Sequence, residues 1–101
     1  MTSTGAYRRR AGPKDMAYFQ NPHLWQLYPF LPLIRRASDD QEAELGILYD
    51  ARGATGTFGY ACTVFLVNLY GIPTTEADLF SLPKYVYDTF DELANDGWVV
   101  D

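Results

Sequence analysis

Apolar and polar positions alternate and recur along this chain in a way that divides it into short elements. Phe30 to Arg36 is apolar and extended, with Pro32 restricting it to a sheet edge or to the start of a strand. Glu44 to Asp50 alternates by two, with Leu45, Ile47 and Tyr49 on one face. The polar stretch from Ala37 to Ala43 lies between them and reads as a turn, so the two runs predict an antiparallel hairpin joined by a longer loop. Asn21-Pro22 is a helix-start signal, and the short helix it opens over His23 to Tyr28 must stop at Pro29.

The second half is helical by pattern. Tyr60 to Tyr70 carries two signals: its β-branched and aromatic content favours a strand, whereas Gly71-Ile72-Pro73 has the form of a helix exit. The exit tips the reading toward a buried helix, with Thr57 as its cap, and a strand is the alternative. Thr75 and Asp78 have capping-box spacing and open a short helix, broken at Ser81-Leu82-Pro83. Val86, Phe90, Leu93 and Ala94 recur at helical spacing, which predicts a helix over Pro83 to Asn95 ended by Asp96-Gly97. Residues 98–100 are apolar and can return as a strand beside the hairpin. The glycine-rich stretch from Ala51 to Gly59 lacks the Gly-Lys-Ser/Thr of a phosphate loop and reads as a flexible connection.

These elements predict an α+β fold: a small antiparallel β-sheet (hairpin 30–36/44–50, with 98–100 as a possible third strand) packed on one face by two or three C-terminal helices. Residues 16–101 form one globular domain, preceded by a flexible basic arm over residues 1–15. The expected core is Phe65, Leu66, Leu69, Val86, Phe90 and Leu93, with Leu45 and Ile47 from the sheet and Cys62 as a small buried hydrophobe.

Composition supports this size and class. The 101 residues are 48 % hydrophobic, 16 % aromatic and only 21 % charged, which is too apolar for a disordered chain. Trp25, Trp98, six Phe and eight Tyr are more rings than so small a body hides, so some must face a partner or solvent. The longest apolar run, Val64 to Val67, is far short of a membrane span, and no secretory signal follows Met1. One cysteine rules out an internal disulfide and fits a reducing, cytoplasmic compartment.

Charge is unevenly placed. Residues 1–36 carry six cations against Asp15 alone, a balance of +5, while residues 37–101 carry twelve acids against Arg52 and Lys84, a balance of −10. The candidate basic arm is Arg8, Arg9 and Arg10. It can fold back on the acidic body, reach an acidic neighbour in a homo-oligomer, or neutralise phosphates on nucleic acid.

Candidate chemistry is thin. One His and one Cys cannot make a structural zinc site, no serine has a nucleophile-elbow context, and no motif implies a cofactor. Asp88, Asp91, Glu92 and Asp96 crowd one side of the last helix, with Tyr85 and Tyr87 close by. Tyr85, Tyr87, Asp88, Asp91 and Glu92 form the candidate interaction surface, suited to a basic protein. The expected function is a non-catalytic protein-interaction module, acting on a protein partner or on copies of itself. One alternative is a charge-based regulator, using the arginine arm on nucleic acid or the acidic helix on a basic protein. The other is a metal-assisted enzyme using the Asp88–Glu92 region.

Overall fold

A computed structural model describes residues 11–35, 42–57 and 59–101. Its elements in chain order are α1 (Pro13–Gln20), β1 (Phe30–Arg35), β2 (Glu44–Tyr49), α2 (Ala51–Thr55), β3 (Thr63–Phe65), α3 (Glu76–Phe80), β4 (Lys84–Val86), α4 (Phe90–Asn95) and β5 (Val99–Val100). The strands form one antiparallel sheet in the order β4-β3-β2-β1-β5. The expected α+β class, the hairpin and the returning C-terminal strand are all present. The hairpin register sets Leu31 opposite Leu48 and Leu33 opposite Gly46. Among the described residues, no helix is long and apolar enough to cross a membrane.

Strand alternation sorts the core onto two faces. On one face Leu31, Leu33, Leu48 and Val64 pack with Phe19 of α1, Leu93 and Ala94 of α4, Trp25 and Trp98. On the other, Tyr49 and Phe65 pack with Ala51 of α2, Leu79 of α3, and the half-buried Tyr60 and Phe80. Helices therefore cover both faces rather than one, and α1 comes from the N-terminal part of the chain. It starts at Pro13, not near Met16, so residues 13–15 belong to the body. The Gly12 N–H donates to Asp15 at 2.9 Å at its start.

Four local readings are corrected. Tyr60 to Tyr70 is not a helix: Thr63–Phe65 is a buried strand between β2 and β4. The Gly71-Ile72-Pro73 exit closes only a single helical turn over Leu69–Gly71, opened by Asn68, whose side chain accepts from the Tyr70 N–H at 2.9 Å. Thr57 caps nothing there; its hydroxyl meets Glu76. Pro83 to Asn95 is likewise not one helix. Lys84–Val86 is an edge strand, and α4 starts only at Phe90, where the Thr89 hydroxyl accepts from the Glu92 N–H at 3.1 Å. The Ala51–Gly59 connection holds a short helix, α2, whose cap Asp50 accepts from the Gly53 N–H. The early helix shrinks to one turn over Pro22–Leu24.

The expected core changes with them. Phe65, Ile47 and Leu93 are fully buried, but Leu45 is 42 % and Val86 66 % exposed. Leu66, Leu69, Phe90 and Cys62 are half-buried.

One contact organises the first face. Trp98 is fully buried, and its ring lies over Gly46. A Cβ on Gly46 would fall 2.3 Å from Val64 Cγ1 and 3.1 Å from the Trp98 ring. Val64 is buried and stiff at χ1, so it cannot yield cheaply. Gly46→Ala should therefore destabilise the protein by about 1–3 kcal/mol, read from urea denaturation midpoints. The other face holds the opposite case. Thr63 is 1 % exposed, and its hydroxyl has no hydrogen-bond partner among the described residues. Thr63→Val keeps the shape and removes the unsatisfied group, so it should raise stability by about 1 kcal/mol in the same assay.

Candidate functional site

The alternation that buries Leu31 and Leu33 puts Arg35 on the same face, at the end of β1. Its guanidinium lies 4.7 Å from the Tyr85 ring centroid and 4.8 Å from that of Trp98. Its edge is held by two carboxylates. Nε donates to Glu44 at 2.9 Å, and Nη1 donates to Asp96 Oδ2 at 2.7 Å. The side chain is only 11 % exposed. Burial works against its charge, but the bond to Glu44 and the fields of Glu44 and Asp96 more than offset this, and its pKa is raised. A planar cation suits this place, because it stacks on rings and forks to carboxylates at once.

The same cluster fixes the predicted tyrosines. Tyr85 stands on β4 opposite Val64, and its ring is 6.4 Å from that of Tyr87. The Tyr87 hydroxyl donates to Asp96 Oδ2 and accepts from Trp98 Nε1 at 3.1 Å. Burial, followed by the bond to Asp96, pushes the Tyr87 pKa up to about 12.

The structure brings Tyr85 and Tyr87 together and sets Asp88, Asp91 and Glu92 directly after them, on the turn into α4 and its first residues. All three acids are exposed. They do not share one helical face, because Asp88 precedes the helix. Instead Glu92 turns back and accepts from the Asp88 N–H at 2.9 Å. Asp96 is drawn away into the Arg35 cluster. Among the described residues, no group of three or more His, Cys, Asp and Glu side chains is placed to hold a metal ion. Arg8, Arg9 and Arg10 lie outside the described residues.

Cys62 sits beneath this turn, its carbonyl accepting from the Tyr87 N–H at 3.1 Å. Burial raises its thiol pKa, and the negative fields of Asp88 and Glu92 raise it further. A thiolate is disfavoured there, the reverse of what a nucleophile needs. A second polar cluster joins α2 to α3. Glu76 accepts from the hydroxyls of Thr55 at 2.6 Å and Tyr49 at 2.9 Å, and from Thr57 at 3.3 Å. The bonds from Thr55 and then Tyr49 hold its carboxyl below the usual range. Three hydroxyls converge on one carboxylate, so the cluster acts as a latch across the second face.

Sequence reasoning counted Arg35 only as a charge. Its signal was the alternation: extending Leu31 and Leu33 by two places it on the core face. Comparisons with protein-family models, with curated proteins and with solved structures found no match.

The raised Tyr87 pKa has a consequence for stability. A neutral phenol that ionises less readily when folded stabilises the fold fully below its ordinary pKa, near 10, and that contribution is lost as pH rises toward 12. Asp96→Asn removes the carboxylate but leaves the burial, so the Tyr87 pKa should fall part of the way back to 10. Absorbance at 295 nm across pH 9–13, with Tyr87→Phe identifying the signal, measures this shift.

Proposed function

We propose that the protein is a non-catalytic interaction module that presents β4 and the acidic turn after it to a basic protein partner. The observation that carries this reading is a run of five exposed aromatic, apolar or acidic residues within eight. Tyr85 is 38 % and Val86 66 % exposed on an outer strand, and Asp88, Asp91 and Glu92 follow, all exposed. Rings and apolar side chains supply contact area with little ordering cost, and the acids select and steer a cationic partner. The Arg35 cluster supports the reading by fixing the two tyrosines in advance, which lowers the entropic cost of docking. The protonated Cys62 and the closed Glu76 latch offer no activated group beside this surface. We place the module in the cytoplasm, on the chemistry of its single cysteine.

The full chain, immobilised, should capture a protein from an extract of its own cells. The triple variant Asp88→Asn, Asp91→Asn, Glu92→Gln should weaken that capture about tenfold, and raised salt should weaken capture by the unaltered chain. Thermal melting confirms that the variant is folded. Capture that ignores both the substitutions and the salt would remove the reading.

A further inference from the structure

The two edges of the sheet are treated differently. At β5, the pairing with β1 directs the Val100 N–H outward, and this donor is satisfied: the Asp15 carboxylate of α1 accepts it at 3.0 Å. The edge is closed by a side chain. At β4, the bonds from the Leu66 N–H to the Pro83 carbonyl and from the Tyr87 N–H to the Cys62 carbonyl fix the alternation. Residues 83, 85 and 87 face β3, so the N–H and C=O groups of Lys84 and Val86 face outward. No partner for either outward N–H is found among the described residues. Lysine often guards such an edge, but the Lys84 ammonium is turned back onto the Phe80 carbonyl at 2.8 Å. Val86 leaves the open edge uncharged, and the acids beyond it make its far end negative.

We infer that β4 accepts an added strand, and that the strand is the basic arm of a second copy of this chain, with Arg8, Arg9 and Arg10 meeting Asp88, Asp91 and Glu92. This rests on the interaction-module reading and names its partner. Charge complementarity selects the arm: it is the one run of three consecutive cations in the chain, and the surface beside the open edge is acidic. Topology favours a second copy over the same chain. The arm joins the fold at Ala11, within one helical turn of Asp15, which is bound at β5, the opposite edge of the sheet from β4. The two edges are four strand spacings apart, about 19 Å, with helices packed on both faces between them, whereas a neighbour's arm approaches β4 directly from its open side. Backbone pairing gives affinity in this mode, and the acids give register and direction.

Two full-chain variants test the inference by complementation. Arg8→Ala with Arg9→Ala and Arg10→Ala disables the arm and leaves the edge. Val86→Pro disables the edge and leaves the arm, and because the Val86 N–H faces outward it breaks no bond to β3. Sedimentation equilibrium should show self-association of the unaltered chain, weakening as salt rises. Each variant alone should be a monomer, and an equimolar mixture should recover a species of twice the monomer mass. Should Val86→Pro fail to fold, the triple Asp88→Asn, Asp91→Asn, Glu92→Gln variant takes its place in the mixture. A monomeric unaltered chain at all concentrations, or association that either variant retains alone, overturns the inference. If a monomeric chain still captures a foreign protein through the acidic turn, the second-copy assignment fails while the interaction-module reading stands.

Discussion

The structure depends on a tryptophan laid against bare backbone. Trp98 arrives from the end of α4 and fills the space over Gly46, where any side chain would meet Val64. Its ring then carries Arg35, and Arg35 in turn binds Glu44 of β2 and Asp96 at the end of α4. Three distant parts of the chain are joined at one cation: the end of β1, the start of β2 and the turn before β5. Gly97 makes this turn possible, since its φ of 99° lies where other residues are strained. The stack is buried on one side and wet on the other. Its geometry, with two carboxylates and two rings about one guanidinium, leaves little freedom to the tyrosines next to it.

That rigidity reaches the outer strand. Three residues of β4 would be a marginal edge alone, because short strands draw most of their stability from packing. Tyr85 is held by Arg35 on one face, and Tyr87 is tied to Asp96 and Trp98 just beyond. The strand is thus ordered without being covered. Natural sheets usually blunt an edge of this kind, as Asp15 does at β5. An edge kept ordered, apolar at Val86 and flanked by acids is better suited to receiving a chain than to repelling one. We propose the arginine-rich arm of a second copy as that chain.

Much of the fold was legible. The hairpin followed from alternation, and the strand after Asp96-Gly97 from its apolar run. What misled was local helix grammar without its length. Gly71-Ile72-Pro73 does end a helical turn, but one of three residues, and the β-branched Thr63 and Val64 went to the sheet, where two neighbouring strands could pair with them. The helical spacing of Val86 with Phe90 was coincidental. The better signal was Thr89 with Glu92, the usual signature of a helix start, and it placed Asp88 outside the helix. Spacing along the sequence singled out the tyrosines and acids of the candidate surface, yet Arg35, which stacks on Tyr85, was not among them. A charge on the core face of a strand reads as an error in the pattern until the two carboxylates that meet it are known, and those lie 9 and 61 positions away.

The contrast between the two edges is measurable residue by residue. In the full chain with Arg8, Arg9 and Arg10 replaced by alanine, amide hydrogen exchange should find Val86 fast and both Tyr87 and Val100 protected, since Cys62 and Asp15 accept from the latter two. Val86 protected as strongly as Val100 would mean that something in the chain already covers β4, and the account of an ordered, open edge would be contradicted.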